Sequence, residues 1–206
     1  MKLIRKKASI KLPIPRKGTK YVARSSSHIN DSVPVVLALR DMLHLARNAK
    51  EVKQTVQAGN VKINGRVVTD MRRSVRLFNI LEAGATYELS LLPTGKFTFV
   101  EVKAKTQRLT KVIGKRLINN GAVQITLHDG TTLITKDDIR IDDSLYLDFA
   151  GAVKKHVSLQ KGSEVFAISG SKVGQKGKVE SIDGKKAVVN FGEISSSIET
   201  KRIVAL

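Results

Sequence analysis

The chain has 206 residues, 41% of them hydrophobic, and its 37 Lys and Arg against 18 Asp and Glu give a net charge of +19. This length allows one to three small modules rather than a large enzyme domain. The lack of cysteine excludes disulfides and thiolate metal sites and fits a cytoplasmic protein, and no apolar run is long enough for a membrane helix. A charge of this size is most easily tolerated beside a polyanion, so nucleic acid is the first candidate partner.

The first 31 residues carry nine cations and one acid, Asp31. They contain Pro13, Pro15 and Gly18 and show no helical or strand period, which predicts an extended basic arm that is largely disordered alone. The first 30 residues contain no acid, a composition that also resembles an organellar transit peptide, but the two prolines would break the helix that such a peptide needs. The arm supplies the first candidate contacts to nucleic acid, which are Arg5, Lys6, Lys7, Lys11, Arg16, Lys17, Lys20 and Arg24.

Two short helices are predicted after the arm. The first has Ser32 as its N-cap and Pro34 in its first turn, and it runs to about His44. The second follows a further cap candidate, Asn48, and ends at Gly59, which suits the left-handed position after a helix. Both helices carry an apolar stripe, so their cations are expected on the outward face.

The rest of the chain is predicted to be mostly strands. Asn64-Gly65 lies between two short apolar runs and indicates a tight hairpin, because these residues readily adopt positive φ angles. Beyond about Leu77, apolar runs alternate with turn signals at a spacing typical of small barrels or sandwiches. These turn signals are Pro93-Thr94-Gly95, Asn120-Gly121, Asp129-Gly130, Asp183-Gly184 and Gly192.

The sequence offers little for catalysis. Its four histidines are scattered singly, and it has no phosphate-binding loop and no hydrolase motif. Asp137-Asp138 and Asp142-Asp143 are the densest acidic cluster, and we interpret them as solvated ends of a strand at Ile139-Arg140-Ile141 rather than as a Mg²⁺ site. We therefore predict no enzymatic activity, no metal, no cofactor and no small-molecule substrate.

The segment from Ser32 to Asp70 has the order helix, helix, glycine, strand, Asn-Gly, Arg, strand. It resembles the small RNA-binding module first described in ribosomal protein S-four, and this resemblance implies that both helices and the hairpin loop face RNA. The implied contacts are Arg40, Lys50, Lys53, Lys62, Asn64, Gly65 and Arg66, and we add the neighbouring cations Arg47, Arg72 and Arg73. An ordinary solvated basic face is the alternative interpretation of the same residues.

A second resemblance lies near the end of the chain. Val165 to Gly170, followed by Lys172, Gly174, Lys176 and Gly177, resembles a KOW motif, the strand-loop-strand core of a small five-stranded, SH3-like barrel. Lys172 and Lys176 are the candidate contacts of this loop. Their partner can be phosphate or an acidic protein, and the sequence leaves both open.

The two modules occur in this order behind the run Pro13 to Tyr21 and with Leu127-His128-Asp129-Gly130 between them. This combination resembles the S-four-e family of small-subunit ribosomal proteins, and the end of the chain resembles the archaeal members. Met71 to Arg76 and Ser169-Gly170 depart from the family pattern, which usually has an aromatic with Pro-Val-Gly and Gly-Gly at these places.

The resemblance implies an α+β fold that is mostly β. It divides the chain into a basic extended arm (1–31), the RNA-binding module (32–92), a central β domain (93–158) and a KOW-type barrel (159–206). It further implies a structural constituent of the small ribosomal subunit in the cytoplasm that binds ribosomal RNA by shape and phosphate contacts, beside neighbouring ribosomal proteins. An RNA-modification factor and a KOW-type transcription factor are the alternatives.

Overall fold

The computed structural model describes residues 2–103, 105–118, 121–192 and 194–206. The chain is mostly β and forms two compact units, Met1–Lys105 and Thr106–Leu206. The predicted boundary after residue 92 is wrong because Pro93-Thr94-Gly95 is a hairpin turn inside one sheet, so the strand that follows it belongs to the first unit. The predicted boundary at 158/159 lies within the second unit. Of the predicted turn at Asn120-Gly121, Asn120 lies outside the described residues.

The N-terminal unit contains two short helical segments and three antiparallel sheets. The sheets have the strand orders β1-β2, β3-β6 and β5-β4-β7-β8-β9. A 3₁₀ turn covers Arg5–Lys7, and helix α1 continues directly as a π-helical stretch, Ala38–Met42. The elements are β1 Lys2–Ile4, β2 Tyr21–Ala23, β3 Ser32–Pro34, α1 Val35–Leu37, α2 Ala49–Gln57, β4 Lys62–Ile63, β5 Arg66–Val67, β6 Ser74–Arg76, β7 Ile80–Ala83, β8 Ala85–Leu91 and β9 Phe97–Glu101.

The basic N-terminal segment is folded, and the prediction of a disordered, extended arm is wrong. Strand β1 pairs with β2, so the segment turns back on itself. The side chain of Leu12 is buried, and the amide of Phe97 in β9 donates to the carbonyl of Lys11 at 2.8 Å. These anchors are single residues rather than a periodic stripe, and periodicity therefore could not reveal them.

The first helix begins later than its sequence predicts. Ser32 is not its N-cap but the first residue of β3, and its hydroxyl donates to the carbonyls of Ser27 and His28. Strand β3 pairs with β6 in the register Ser32↔Arg76, and the helix starts only after this strand, with Pro34 as its N-cap residue. A distant strand thus overrides a plausible local cap.

The described residues of the C-terminal unit form two five-stranded antiparallel sheets and a 3₁₀ turn, Thr200–Arg202. Their strand orders are β12-β11-β10-β13-β14 and β18-β17-β16-β15-β19, and each sheet has its own apolar cluster. The predicted Asp129-Gly130 hairpin is confirmed between β11 and β12. The strands are β10 Gln107–Leu117, β11 Val123–Leu127, β12 Thr132–Thr135, β13 Ser144–Asp148, β14 Val153–Val157, β15 Glu164–Ala167, β16 Lys176–Asp183, β17 Lys186–Asn190, β18 Ser195–Glu199 and β19 Ile203–Ala205.

A buried lysine joins the two sheets of this unit. Lys111 lies in β10 with 2% of its side chain exposed, and its ammonium group donates to the carbonyls of Thr200 and Ile203, each at 2.6 Å. Its third partner is the carboxylate of Asp142 at 3.0 Å, which also accepts from the hydroxyl of Thr200 at 2.7 Å. Burial lowers the pKa of Lys111, and the charge of Asp142 opposes this shift. All three ammonium protons therefore have acceptors.

The acidic cluster is part of this junction, and the interpretation of its members as solvated strand ends is wrong for two of them. Ile139 to Ile141 form no strand. Asp143 is 3% exposed, and its carboxylate accepts from the amide of Leu159 at 3.1 Å and contacts the ring of His156 at 2.7 Å. Asp142 has a φ of 75°, which a local strand pattern cannot reveal.

Candidate nucleic-acid interface

Helix α2 starts at the predicted cap. The side-chain oxygen of Asn48 accepts from the amides of Lys50 and Glu51 at 2.9 and 3.0 Å. The carboxylate of Glu51 reaches back to the amide of Arg47 at 2.7 Å and to the side-chain amide of Asn48. These reciprocal bonds satisfy donors that a helix start leaves unpaired, so the start of α2 is specified locally, by residues 47–51.

The buried stripe of α2 determines which way its lysines face. Val52 and Val56 are buried, so Lys50 and Lys53 emerge on the exposed side, as the sequence predicts. Neither ammonium group forms an ion pair within the part of the chain that the structure describes. Both are consequently free to meet an external anion.

The hairpin after α2 has the predicted turn. Asn64 and Gly65 have φ angles of 50° and 75°, the pair of positive values that a type I′ turn requires. Asn64 is buried, and its side-chain oxygen accepts from the amide of Ile80 at 2.9 Å. Its side chain therefore anchors the hairpin to β7, and this structural role replaces the predicted contact to RNA. Lys62 and Arg66, on the two strands, remain exposed.

Two of the predicted contact arginines are paired with acids of the same segment. Arg40 forms a bidentate pair with Asp41 at 2.8 and 2.7 Å, which raises the pKa of Arg40. Arg72 pairs with Asp70 at 3.1 Å, and its hydrogen bonds lower the pKa of the Asp70 carboxyl group. Both pairs are partly or largely exposed, so they offset charge more than they stabilise the fold.

Two cations of the N-terminal segment are also engaged. The guanidinium of Arg5 donates to the carbonyls of Pro15 and Thr19 at 2.6 and 2.7 Å and to the Thr19 hydroxyl at 2.8 Å. Lys11 pairs with Asp31. Arg5 thereby closes the loop between β1 and β2, and it acts as a structural residue instead of a free contact to phosphate.

The other predicted cations of this unit present their charge to solvent. Most are exposed and make no ion pair with another described residue: Lys6, Lys7, Arg16, Lys17, Arg47, Lys50, Lys53, Lys62, Arg66 and Arg73. Lys20 is exposed and lies 5.6 Å from the ring centre of Tyr21, and Arg24 is half-buried. Gly65 is exposed at the tip of the hairpin. The N-terminal unit thus carries most of the predicted charge in a form that can meet phosphates.

The glycine-rich loop of the C-terminal unit connects β15 and β16. Gly170 and Gly174 have φ angles of 98° and 75°, and Lys172 between them is half-buried. Lys176 is exposed at the start of β16. At Gly177 a Cβ atom would lie 2.6 Å from the carbonyl oxygen of Asn190, so only glycine allows β16 and β17 to approach this closely.

A basic edge strand in the C-terminal unit was not predicted from the sequence. Lys154 and Lys155 lie in β14, the end strand of the sheet β12-β11-β10-β13-β14, and both are exposed. Lys155 lies 5.5 Å from the ring centre of Tyr146. Residues 82–158 carry eleven cations against nine acids, so their net charge gave no reason to single out these two lysines. Two consecutive lysines without apolar alternation are nevertheless a signal for an exposed edge strand.

Across the described ranges, no three His, Asp or Glu side chains are grouped so that they could hold a metal ion. Within the same residues, no helix is both long and apolar enough to cross a membrane.

Comparison with known proteins identifies the family. Residues 83–152 match the model of ribosomal family S4e. The small ribosomal subunit protein eS4 of Methanocella arvoryzae is 33% identical over 177 residues, which cover 82% of this chain and 76% of the relative. The chain belongs to ribosomal family S4e. The eS4 protein of Haloarcula marismortui is also 33% identical and covers 82% of this chain and 77% of its own.

The S4e fold is shared as well. The crystal structure of the 30S ribosomal protein S4e from Thermoplasma acidophilum superposes with a TM-score of 0.75 and covers 85% of this chain and 95% of that one, at 24% identity. The identities to the eS4 relatives confirm the predicted S4e membership. The comparisons give no support to an RNA-modification factor or a transcription factor.

Proposed function

We propose that this S4e protein is a structural constituent of the small ribosomal subunit and binds ribosomal RNA through shape and phosphate contacts. The observation that carries this proposal is the set of exposed cations on α2 and its hairpin, Lys50, Lys53, Lys62 and Arg66. Capping and turn chemistry hold these side chains on rigid elements, so their ordering costs less when they bind. Membership of the S4e family supports the small ribosomal subunit as the place where the protein binds RNA.

Phosphate contact is favoured over base stacking as the main source of affinity. Aromatic residues make up 4% of the chain and tryptophan is absent, so broad stacking platforms are scarce. Exposed Arg and Lys side chains bind phosphate oxygens without reading sequence, and shape then fixes the register on folded RNA. This mode needs no catalytic group, and we propose that the protein is not an enzyme.

The C-terminal sheet is proposed to be a KOW-type module. Its strand order, β18-β17-β16-β15-β19, and the tight approach at Gly177 support this assignment. Lys172 and Lys176 would then meet RNA or a neighbouring ribosomal protein on a cytoplasmic ribosome. The basic edge strand β14 supplies a further surface of the same sign in this unit.

The proposal is tested by the salt dependence of binding to small-subunit ribosomal RNA. We expect Lys50→Ala/Lys53→Ala to weaken binding and to reduce the slope of log K against log salt concentration by about 1 for each lysine. The matched control Lys136→Ala/Lys185→Ala removes the same charge from exposed positions outside the proposed surface and should leave the slope nearly unchanged. Equal effects of the two double variants would show a diffuse attraction and contradict a specific surface.

A further inference from the structure

A groove of about 650 Å³ opens in the N-terminal unit, between the loop that Arg5 closes and the start of α2. Its volume lies in the range of sites that hold a small organic group. One part of its lining is apolar and the other is polar and cationic. This division distinguishes the groove from the flat cationic faces of α2 and the hairpin.

The apolar part of the groove comes from two segments. Pro13, Ile14 and Pro15 form one side, and Leu37 and Ala49 contribute from the helical side. Short and ring-shaped side chains of this kind leave room for a flat, apolar-faced group. A nucleobase has two such faces, and water is displaced from them when they contact an apolar wall.

The cationic part contains two fixed guanidinium groups, those of Arg5 and Arg40, and one free guanidinium group, that of Arg47. Arg40 lines the groove, and its bidentate pair with Asp41 holds its plane in place. Guanidinium planes stack well on nucleobases, and this use of Arg40 does not require an unpaired charge. Arg47 also lines the groove, is exposed, and has no ion-pair partner among the residues that the structure describes. It is available for a phosphate.

The backbone beside the groove has two unusual conformations. The π-helical stretch Ala38–Met42 contains Arg40, and His44, which also lines the groove, has a φ of 54°. π-Helical turns and positive φ angles outside glycine occur often at functional sites. Both are found here within seven positions of sequence, Ala38 to His44, and they shape the helical side of the groove.

We propose that this groove holds one unstacked ribonucleotide of ribosomal RNA, with its base against the proline wall and the Arg40 plane and its phosphate on Arg47. This inference rests on the proposed function and refines it, because a base pocket recognises an extruded nucleotide rather than a duplex face. An acidic protein segment would use the same free cation but not the flat apolar wall. The separation of wall and cation therefore favours a nucleotide.

Two synthetic RNAs test the pocket: a 12-base-pair duplex and the same duplex with a single bulged adenosine. We expect the full-length protein to bind the bulged RNA about tenfold more tightly, the magnitude typical of one stacked base. Ala46→Leu, which fills the groove without changing charge, should abolish this preference and leave affinity for the plain duplex unchanged. Ala58→Leu is the matched control, since Ala58 is exposed at the other end of α2 and does not line the groove.

A second measurement needs no variant. Adenosine monophosphate added to the wild-type protein should remove the preference for the bulged RNA, whereas inorganic phosphate at the same ionic strength should not. Equal binding of the two RNAs, survival of the preference in Ala46→Leu, or removal of the preference by phosphate alone would each overturn the pocket. The proposed function would still stand if both RNAs bound with a steep salt dependence, and it would fall with the pocket if neither bound at low salt.

Discussion

Lys111 joins the two sheets of the C-terminal unit. Its buried ammonium group links β10 to the carbonyls of Thr200 and Ile203 and to Asp142. We expect Lys111→Met to reduce the free energy of unfolding by about 3 kcal/mol, because it removes the ammonium group from two carbonyls and from the Asp142 carboxylate, which keeps the Thr200 hydroxyl as a donor. Urea unfolding followed by circular dichroism measures this change.

Lys115 provides the matched control for this prediction. It lies on the same strand, and its partner, Asp138, is 82% exposed. Lys115→Met should change the free energy of unfolding by less than about 1 kcal/mol, as is usual for a surface ion pair. A Lys111→Met variant as stable as the wild type would mean that packing alone joins the two sheets.

Among the elements, β16 and β17 approach each other so closely that their contact requires a glycine at position 177. A Cβ atom at Gly177 would lie 2.6 Å from the oxygen of Asn190 and 2.7 Å from Cγ1 of Val189, so the strands must separate to accept it. We expect Gly177→Ala to destabilise the protein by about 1–3 kcal/mol. At Gly114 in β10 the nearest atom would be 3.7 Å away, and Gly114→Ala should be nearly neutral. Thermal unfolding of both variants decides this, and equal melting temperatures would contradict the close approach.

The elements also show what the sequence could predict. Helix α2 and the Asn64-Gly65 hairpin were predictable because a cap at Asn48, a glycine at Gly59 and a turn pair are local signals. Membership of the S4e family was predictable because the RNA-binding module and the KOW motif occur in this order along the chain. The start of the first helix was not, because the pairing of Ser32 with Arg76 is a tertiary contact that no local pattern encodes.

The candidate interface was predictable in its cations but not in their partners. Exposure of Lys50 and Lys53 follows from a helical period, which the sequence contains. The bonds of Arg5 to Pro15 and Thr19 join residues across a loop without regular structure, and the buried side chain of Asn64 depends on β7. The sequence alone does not distinguish a cationic side chain that binds within its own fold from one that is free to bind RNA.

For the molecule as a whole, the folded N-terminal segment changes what its removal should do. Deletion of residues 2–24 removes β1, β2 and the buried Leu12, and it takes away the acceptor for the amide of Phe97. We expect the melting temperature of the N-terminal unit to fall by about 10 °C or more, since loss of one buried leucine costs about 2–5 kcal/mol. Differential scanning calorimetry measures the shift.

Arg16 and Lys17 separate this structural role from RNA binding. Both are exposed and unpaired with any described residue, so Arg16→Ala/Lys17→Ala should leave stability within about 0.5 kcal/mol of the wild type while weakening RNA binding. If the chain that lacks residues 2–24 melted at the wild-type temperature, the N-terminal segment would make no contribution to stability, and its structural role would be contradicted.

Sedimentation of a cell extract shows whether the protein is a component of the small ribosomal subunit, because it asks where a chain of net charge +19 resides among all polyanions. We predict that the protein co-migrates with the small ribosomal subunit at moderate salt. At higher salt concentration it should dissociate from the subunit, with a steep dependence of binding on salt. Migration as free protein, or with RNA polymerase instead of the subunit, would contradict its assignment as a structural component of the ribosome.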